Sequence, residues 1–230
     1  MTSTTTAAIL LGLALGTRHA LEPDHLAAVS VLNTQGSGAR NGLVLGAIWG
    51  VGHTVALLGV GVVLALSAAA LPSGLSDAFE LSVAAMLVVL GFNACVRAAR
   101  LSARGPSRQH EHAGHEHVHA GPDAHVHVGR WTFAVRPLLV GMIHGLAGSG
   151  ALSAWVMTTL QSTSAQLVYI ALFGVGSIAS MAAISGLAGW PLARLAQKAN
   201  AARWTHGAAG LFSLIYGLVW GWSPLERFLG

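Results

Sequence analysis

Arg18-His19-Ala20-Leu21-Glu22-Pro23-Asp24-His25 sets five ionisable side chains within eight residues of an otherwise apolar segment. A charged group at membrane depth is costly, so it faces a protein interior or an aqueous cavity and by default serves a function. Two imidazoles and two carboxylates this close together form a nitrogen and oxygen donor set suited to a transition-metal cation. On a regular helix of about 3.6 residues per turn, His19, Glu22 and His25 stay near one face and Asp24 points elsewhere. Pro23 alters that arrangement. It has no N–H, so the His19 carbonyl loses its helical partner, and its ring disfavours helical geometry at Glu22. The sequence therefore predicts a discontinuous first helix, with Asp24 brought round to the two histidines and the His19 carbonyl exposed. Irregular backbone is tolerated in a membrane where it lines a cavity. The alternative is a helix end at the membrane surface, with Pro23 in the first turn of a new helix.

The surroundings read as membrane. Of the 230 residues, 53% are hydrophobic and only 9% are charged, against roughly 25% charged in soluble domains. The formal net charge of +4 comes from arginine clusters that read as loop anchors, not as a nucleic-acid surface. A single cysteine, Cys95, excludes an internal disulfide. The N-terminus has neither a basic region nor an obvious small-residue cleavage site, so it is not read as a signal peptide. A spanning helix needs about 20 mostly apolar residues. Six segments qualify: about Thr5–Leu32, Asn41–Leu71, Phe79–Leu101, Thr132–Leu160, Ala165–Leu192 and Trp204–Trp222. Basic residues cluster after the first segment (Arg40), around the loop after the third (Arg97, Arg100, Arg104, Arg108, Arg130, Arg136) and between the last two (Arg194, Lys198, Arg203). The positive-inside rule makes these loops cytoplasmic and leaves both termini outside.

Similar motifs recur about 125 residues apart. Gly16-Thr17-Arg18-His19 matches Gly141-Met142-Ile143-His144, Trp49-Gly50-Val51-Gly52-His53 matches Phe173-Gly174-Val175-Gly176-Ser177, and Leu90-Gly91-Phe92 matches Tyr216-Gly217-Leu218. Three helices per repeat is an odd number, so the halves run oppositely through the membrane, as in many secondary transporters. Chance matching of small residues, common in membrane helices, is the alternative. The expected fold is all-α, a polytopic membrane protein of six transmembrane helices in two inverted three-helix repeats, with the first helix broken near Pro23. Residues 1–101 form the first repeat, 102–130 a His-rich cytoplasmic loop without fixed structure, and 131–230 the second repeat.

The candidate metal ligands are His19, Asp24, His25 and His53. The glycines before His53 allow close helix approach and would let it reach the break, although a lone helical histidine also serves as a packing residue. Glu22, His144 and Ser149 are further candidates for the pathway; His144 is the repeat mate of His19, and Gly141 to Gly150 would give a thin-walled passage. The loop carries His110, His112, His115, His117, His119, His125 and His127, seven of the chain's 12 histidines. Neutral imidazoles bind Ni, Co, Cu and Zn, so this loop reads as a metal buffer or sensor, or else as a solvated linker.

His19-Ala20-Leu21-Glu22-Pro23-Asp24-His25, followed by Gly52-His53-Thr54 in the next helix, resembles the nickel/cobalt transporter family. The His-rich loop is similar to the nickel/cobalt efflux branch. The six-helix layout and Gly145-Leu146-Ala147-Gly148-Ser149 look more like the compact urease-associated nickel permease branch. The resemblance implies transport of Ni²⁺ and/or Co²⁺ as substrate, with His19, Asp24 and His25 at the positions of metal selection and His53 at the histidine of the next helix. It implies no permanent cofactor, and residence in the bacterial inner membrane. Expected partners are the metal ion and the lipid bilayer, not nucleic acid, with a homo-oligomer or metallochaperone as further candidates. The sequence contains no GxxxxGK[ST] loop, so transport is expected to be secondary. Two other classes are a membrane metal sensor or donor to a maturation partner, and an intramembrane hydrolase built on Ser149 and His144. The hydrolase lacks a third, orienting group.

Overall fold

Pro23 opens a helix. In the computed structural model, which describes residues 3–34, 38–67, 71–103, 125–128, 131–147, 163–196 and 198–229, α1 spans Ser3–His19 and α2 spans Pro23–Asn33. Glu22 between them is extended, with φ −64° and ψ 147°, the geometry favoured before proline. Pro23 then occupies the first turn of α2, where a missing N–H leaves no helical bond unmade. The first expected span is therefore two helices. The expected exposure of the His19 carbonyl does not occur. The His19 carbonyl is not left free, because the Glu22 N–H donates to it at 3.0 Å. Leu21 closes onto Arg18 in the same way at 2.9 Å, so the end of α1 satisfies itself with a tight turn.

Among the described residues five more helices follow: α3 (Ala39–Ser67), α4 (Ser73–Ala103), α5 (Val135–Ala147), α6 (Thr163–Ala196) and α7 (Ala199–Leu229). Four contain apolar stretches long enough to cross a bilayer, namely Ala39–Leu64, Gly74–Leu101, Ser164–Leu195 and Asn200–Leu229. Large apolar side chains stand outward along them: Leu187 is 76% exposed and Val219 70%. Such surface is unfavourable in water and favourable against lipid tails, so the described helices fit an integral membrane protein. The fourth expected span, to Leu160, is described only as far as Ala147, and Ser149 lies outside the described residues, as do His110, His112, His115, His117 and His119.

The segment before α5 departs from expectation. β1 (His125–Val128) pairs antiparallel with β2 (Trp131–Ala134), with Val126 opposite Phe133 and His127 opposite Thr132. His125 and His127 thus sit in a strand where an unstructured loop was expected, and the helix starts at Val135 instead of Thr132. The His-Val-His-Val alternation has the two-residue period and β-branched content of a strand.

Within the bundle, α3 lies against α5 and α6, α4 against α7, α1 against α6, and α2 against α7. Several helices approach closely at glycines. Gly16 of α1 sits on the Phe173 carbonyl of α6, and Gly141 of α5 sits on the Trp49 carbonyl of α3. Gly176 meets Leu13, and Gly52 meets Leu138. Gly91 meets the Gly210 carbonyl, and Gly217 meets Ala84. In every pair the second contact is the first one moved along the chain by the spacing of the matched motifs. Hydroxyls add bonds at these crossings: Ser177 donates to the Gly16 carbonyl at 3.2 Å and Ser213 to the Leu87 carbonyl at 2.9 Å.

Candidate metal-ion site

The break between α1 and α2 brings the ends of two helices to one point. His19 closes α1, while Asp24 and His25 lie in the first turn of α2. His53 comes from the middle of α3 and His144 from the last turn of α5. All four histidines and Asp24 are buried, and His25 and His53 are wholly inaccessible. The ring of His25 is central. Its centroid is 4.5 Å from that of His19, 5.3 Å from His53 and 4.7 Å from His144.

The two carboxylates hold the imidazoles. Nδ1–H of His25 donates to Oδ1 of Asp24 at 3.0 Å, which turns Nε2 into the free lone pair. Nδ1 of His19 lies 3.0 Å from Oε2 of Glu22. Glu22 is the residue preceding α2, yet its side chain caps no helical N–H; it reaches back to His19 instead. Carboxylates that orient histidines in this way are a standard outer shell of metal sites. The other oxygen of Asp24 lies 3.4 Å from Nε2 of His144, without hydrogen-bond geometry.

Most imidazole nitrogens remain unused by the protein. Nε2 of His19, Nε2 of His25 and both nitrogens of His53 and His144 find no hydrogen-bond partner among the described residues. Leaving a buried polar atom unpaired costs about 1–3 kcal/mol, and six such atoms in one cluster is a large penalty for a packing core to carry. Ligand atoms of His19, His25 and His53 lie within 4.8 Å of one another, as do those of Asp24, His25 and His144. Imidazole plus carboxylate suits Ni, Co, Zn and Cu and disfavours Mg and Ca.

The structure thus brings together His19, Asp24, His25 and His53, and adds His144 as a near neighbour of Asp24. Glu22 reaches the site from its half-exposed edge. Two residues at the site were not picked out as functional from the sequence. The Trp49 ring lies 5.5 Å from that of His25 at a tilt and 5.6 Å from that of His144 edge-on, and Phe173 lies 5.3 Å from His19. The signal was present: each is the aromatic residue that opens the repeated Gly-Val-Gly motif.

The chain is 31% identical over 210 residues to the urease accessory protein UreH of Bacillus sp. (strain TB-90), an alignment that covers 91% of this chain and 88% of that protein. No family model matches the chain, and no solved structure matches it.

Proposed function

Because the chain belongs to the family of the urease accessory protein UreH, in line with the urease-associated branch its motifs resemble, we propose that it carries divalent transition-metal ions, Ni²⁺ and/or Co²⁺, across a membrane. The observation that carries this reading is the cluster of four buried histidines and one buried aspartate, rich in unpaired nitrogens, inside a bundle of membrane-length apolar helices. A urease accessory relative favours a substrate used in urease maturation.

In this reading a hydrated ion sheds part of its water shell and binds Nε2 of His19, Nε2 of His25 and a nitrogen of His53. Asp24 offsets the incoming charge and holds His25 by Nδ1; Glu22 does the same for His19 from a more solvated position. The reciprocal glycine contacts support two three-helix halves related as inverted repeats, with the site between them. The basic clusters support an orientation with both termini outside and residues 102–130 in the cytoplasm. Neither a nucleotide nor a permanent cofactor is invoked, and the chain acts as a carrier, not an enzyme.

The test is metal flux. Vesicles reconstituted with the purified chain should accumulate Ni²⁺ or Co²⁺, and His19→Ala, Asp24→Asn and His25→Ala should each reduce the rate by at least about tenfold, the scale of lost ligand or outer-shell support. Wild-type flux in all three inserted variants would remove this site from the pathway. The word accessory in the relative's name favours one second reading, a membrane donor that hands metal to a maturation partner. Flux in vesicles that contain no other protein separates the two.

A further inference from the structure

The four histidines do not surround a single point. They fall into two groups of three donors each, His19 with His25 and His53, and Asp24 with His25 and His144. His25 is common to both. The two groups also relate to each other through the chain's matched motifs. His19 and His144 occupy equivalent motif positions, 125 residues apart. Each has an aromatic ring beside it, Phe173 at 5.3 Å from His19 and Trp49 at 5.6 Å from His144. Those two aromatics are themselves motif mates, and both are fully buried. Each donor group therefore has one histidine and one aromatic cover from corresponding positions of the two halves.

We propose that Asp24, His25 and His144 form a second cation station, adjacent to the His19–His25–His53 station, and that the transported ion steps from one to the other while keeping His25 as a ligand. This rests on the transport reading above and adds a place where the ion stops. In the step, the coordination bonds to His19 and His53 break as bonds to Oδ2 of Asp24 and a nitrogen of His144 form. No electron changes hands. Retaining His25 means the ion is never stripped of all protein donors in a dry interior, where an uncompensated charge is strongly disfavoured. It also means that the stations fill one at a time. Conduction needs sites attractive enough to enter and weak enough to leave, and two three-donor stations meet that need better than one site made of all five groups.

Co²⁺ distinguishes the stations, since its visible absorption and X-ray absorption report the donor set. Purified His144→Gln should bind one Co²⁺ through imidazoles alone, as the first station does, yet carry it at least about tenfold more slowly in vesicles. Purified His53→Gln should still bind one Co²⁺, now with a carboxylate and fewer imidazoles. His25→Gln should bind none. If His53→Gln fails to fold, His53→Asn gives the same readout. A folded His53 variant that binds no Co²⁺ means a single site and overturns the second station. An inserted His144→Gln with wild-type Co²⁺ flux overturns it as well, and both results leave the transport reading standing. A wild-type chain that neither binds nor carries Ni²⁺ or Co²⁺ would instead bring down the transport reading and the stepping between stations with it.

Discussion

Asp24 and Glu22 do similar geometric work under different solvation, and that difference sets their expected weight. Asp24 is buried and holds the wholly buried His25 at 3.0 Å, whereas the Glu22 side chain is 51% exposed where it meets His19. Water screens an exposed pair and leaves it worth little, about 0–1 kcal/mol. A buried carboxylate acts at lower effective dielectric and aims its imidazole more firmly. Glu22→Gln should therefore weaken Ni²⁺ binding by about fivefold or less, and Asp24→Asn by about 10–100-fold, as read by calorimetric titration of the purified chain. Equal losses for the two variants would contradict an orienting role graded by burial. His19, Asp24 and His25 stood out as candidates in the sequence because five ionisable groups in an apolar run have no cheap structural use, and His53 stood out only through the glycines that precede it. The partition among them was not legible. Nothing in the spacing tells that Asp24 faces His144 as well as His25, since that contact joins residues 120 positions apart.

Pro23 is the clearest case of an element read correctly for a partly different reason. Its missing N–H and its effect on Glu22 do break the span, but the break is a clean helix start with its own closing turn, so the His19 carbonyl is already spoken for. Sequence reveals that a helix cannot continue; it does not reveal which turn geometry takes up the loose backbone groups. The helix crossings are a further matter of local shape. A methyl group at Gly16 would run into the Phe173 carbonyl, and one at Gly141 into that of Trp49. Backbone atoms cannot swing aside as side-chain tips do, so Gly16→Ala and Gly141→Ala must push whole helices apart, at about 1–3 kcal/mol each. At Gly59, in the same helix as Trp49, an added methyl meets nothing within 4 Å. Gly59→Ala should leave stability unchanged or raise it by up to about 1 kcal/mol through helix propensity. Thermal unfolding of the three variants in detergent checks the contrast, and a Gly59 variant as unstable as the other two would refute the crossing argument.

Arg227 near the end of α7 donates from Nε to Asp77 Oδ1 at 2.9 Å and from Nη2 to Glu80 at 3.2 Å, so it ties the chain's last turns to the first turns of α4. That contact constrains the whole molecule: the start of α4 and the end of α7 must lie on the same side of the membrane. A pair on the opposite face works the same way. Asn33 at the end of α2 exchanges hydrogen bonds with Ser185 of α6, at 3.1 and 3.0 Å, which puts the end of α2 beside the C-terminal half of α6. The two ties assign Asp77 and Arg227 to one face, and Arg40 and Lys198, both exposed, to the other. In the proposed orientation the basic residues put that second face in the cytoplasm. In a Cys95→Ser background, cysteines at Gly74 and Glu226 should react with a membrane-impermeant maleimide applied to intact cells. Cysteines at Arg40 and Lys198 should react only after the membrane is opened. Labelling of Gly74→Cys and Glu226→Cys from opposite sides would contradict the Arg227 tie itself. Labelling of both from the inside would keep the packing and reverse the orientation, placing residues 102–130 and their histidines on the outer surface.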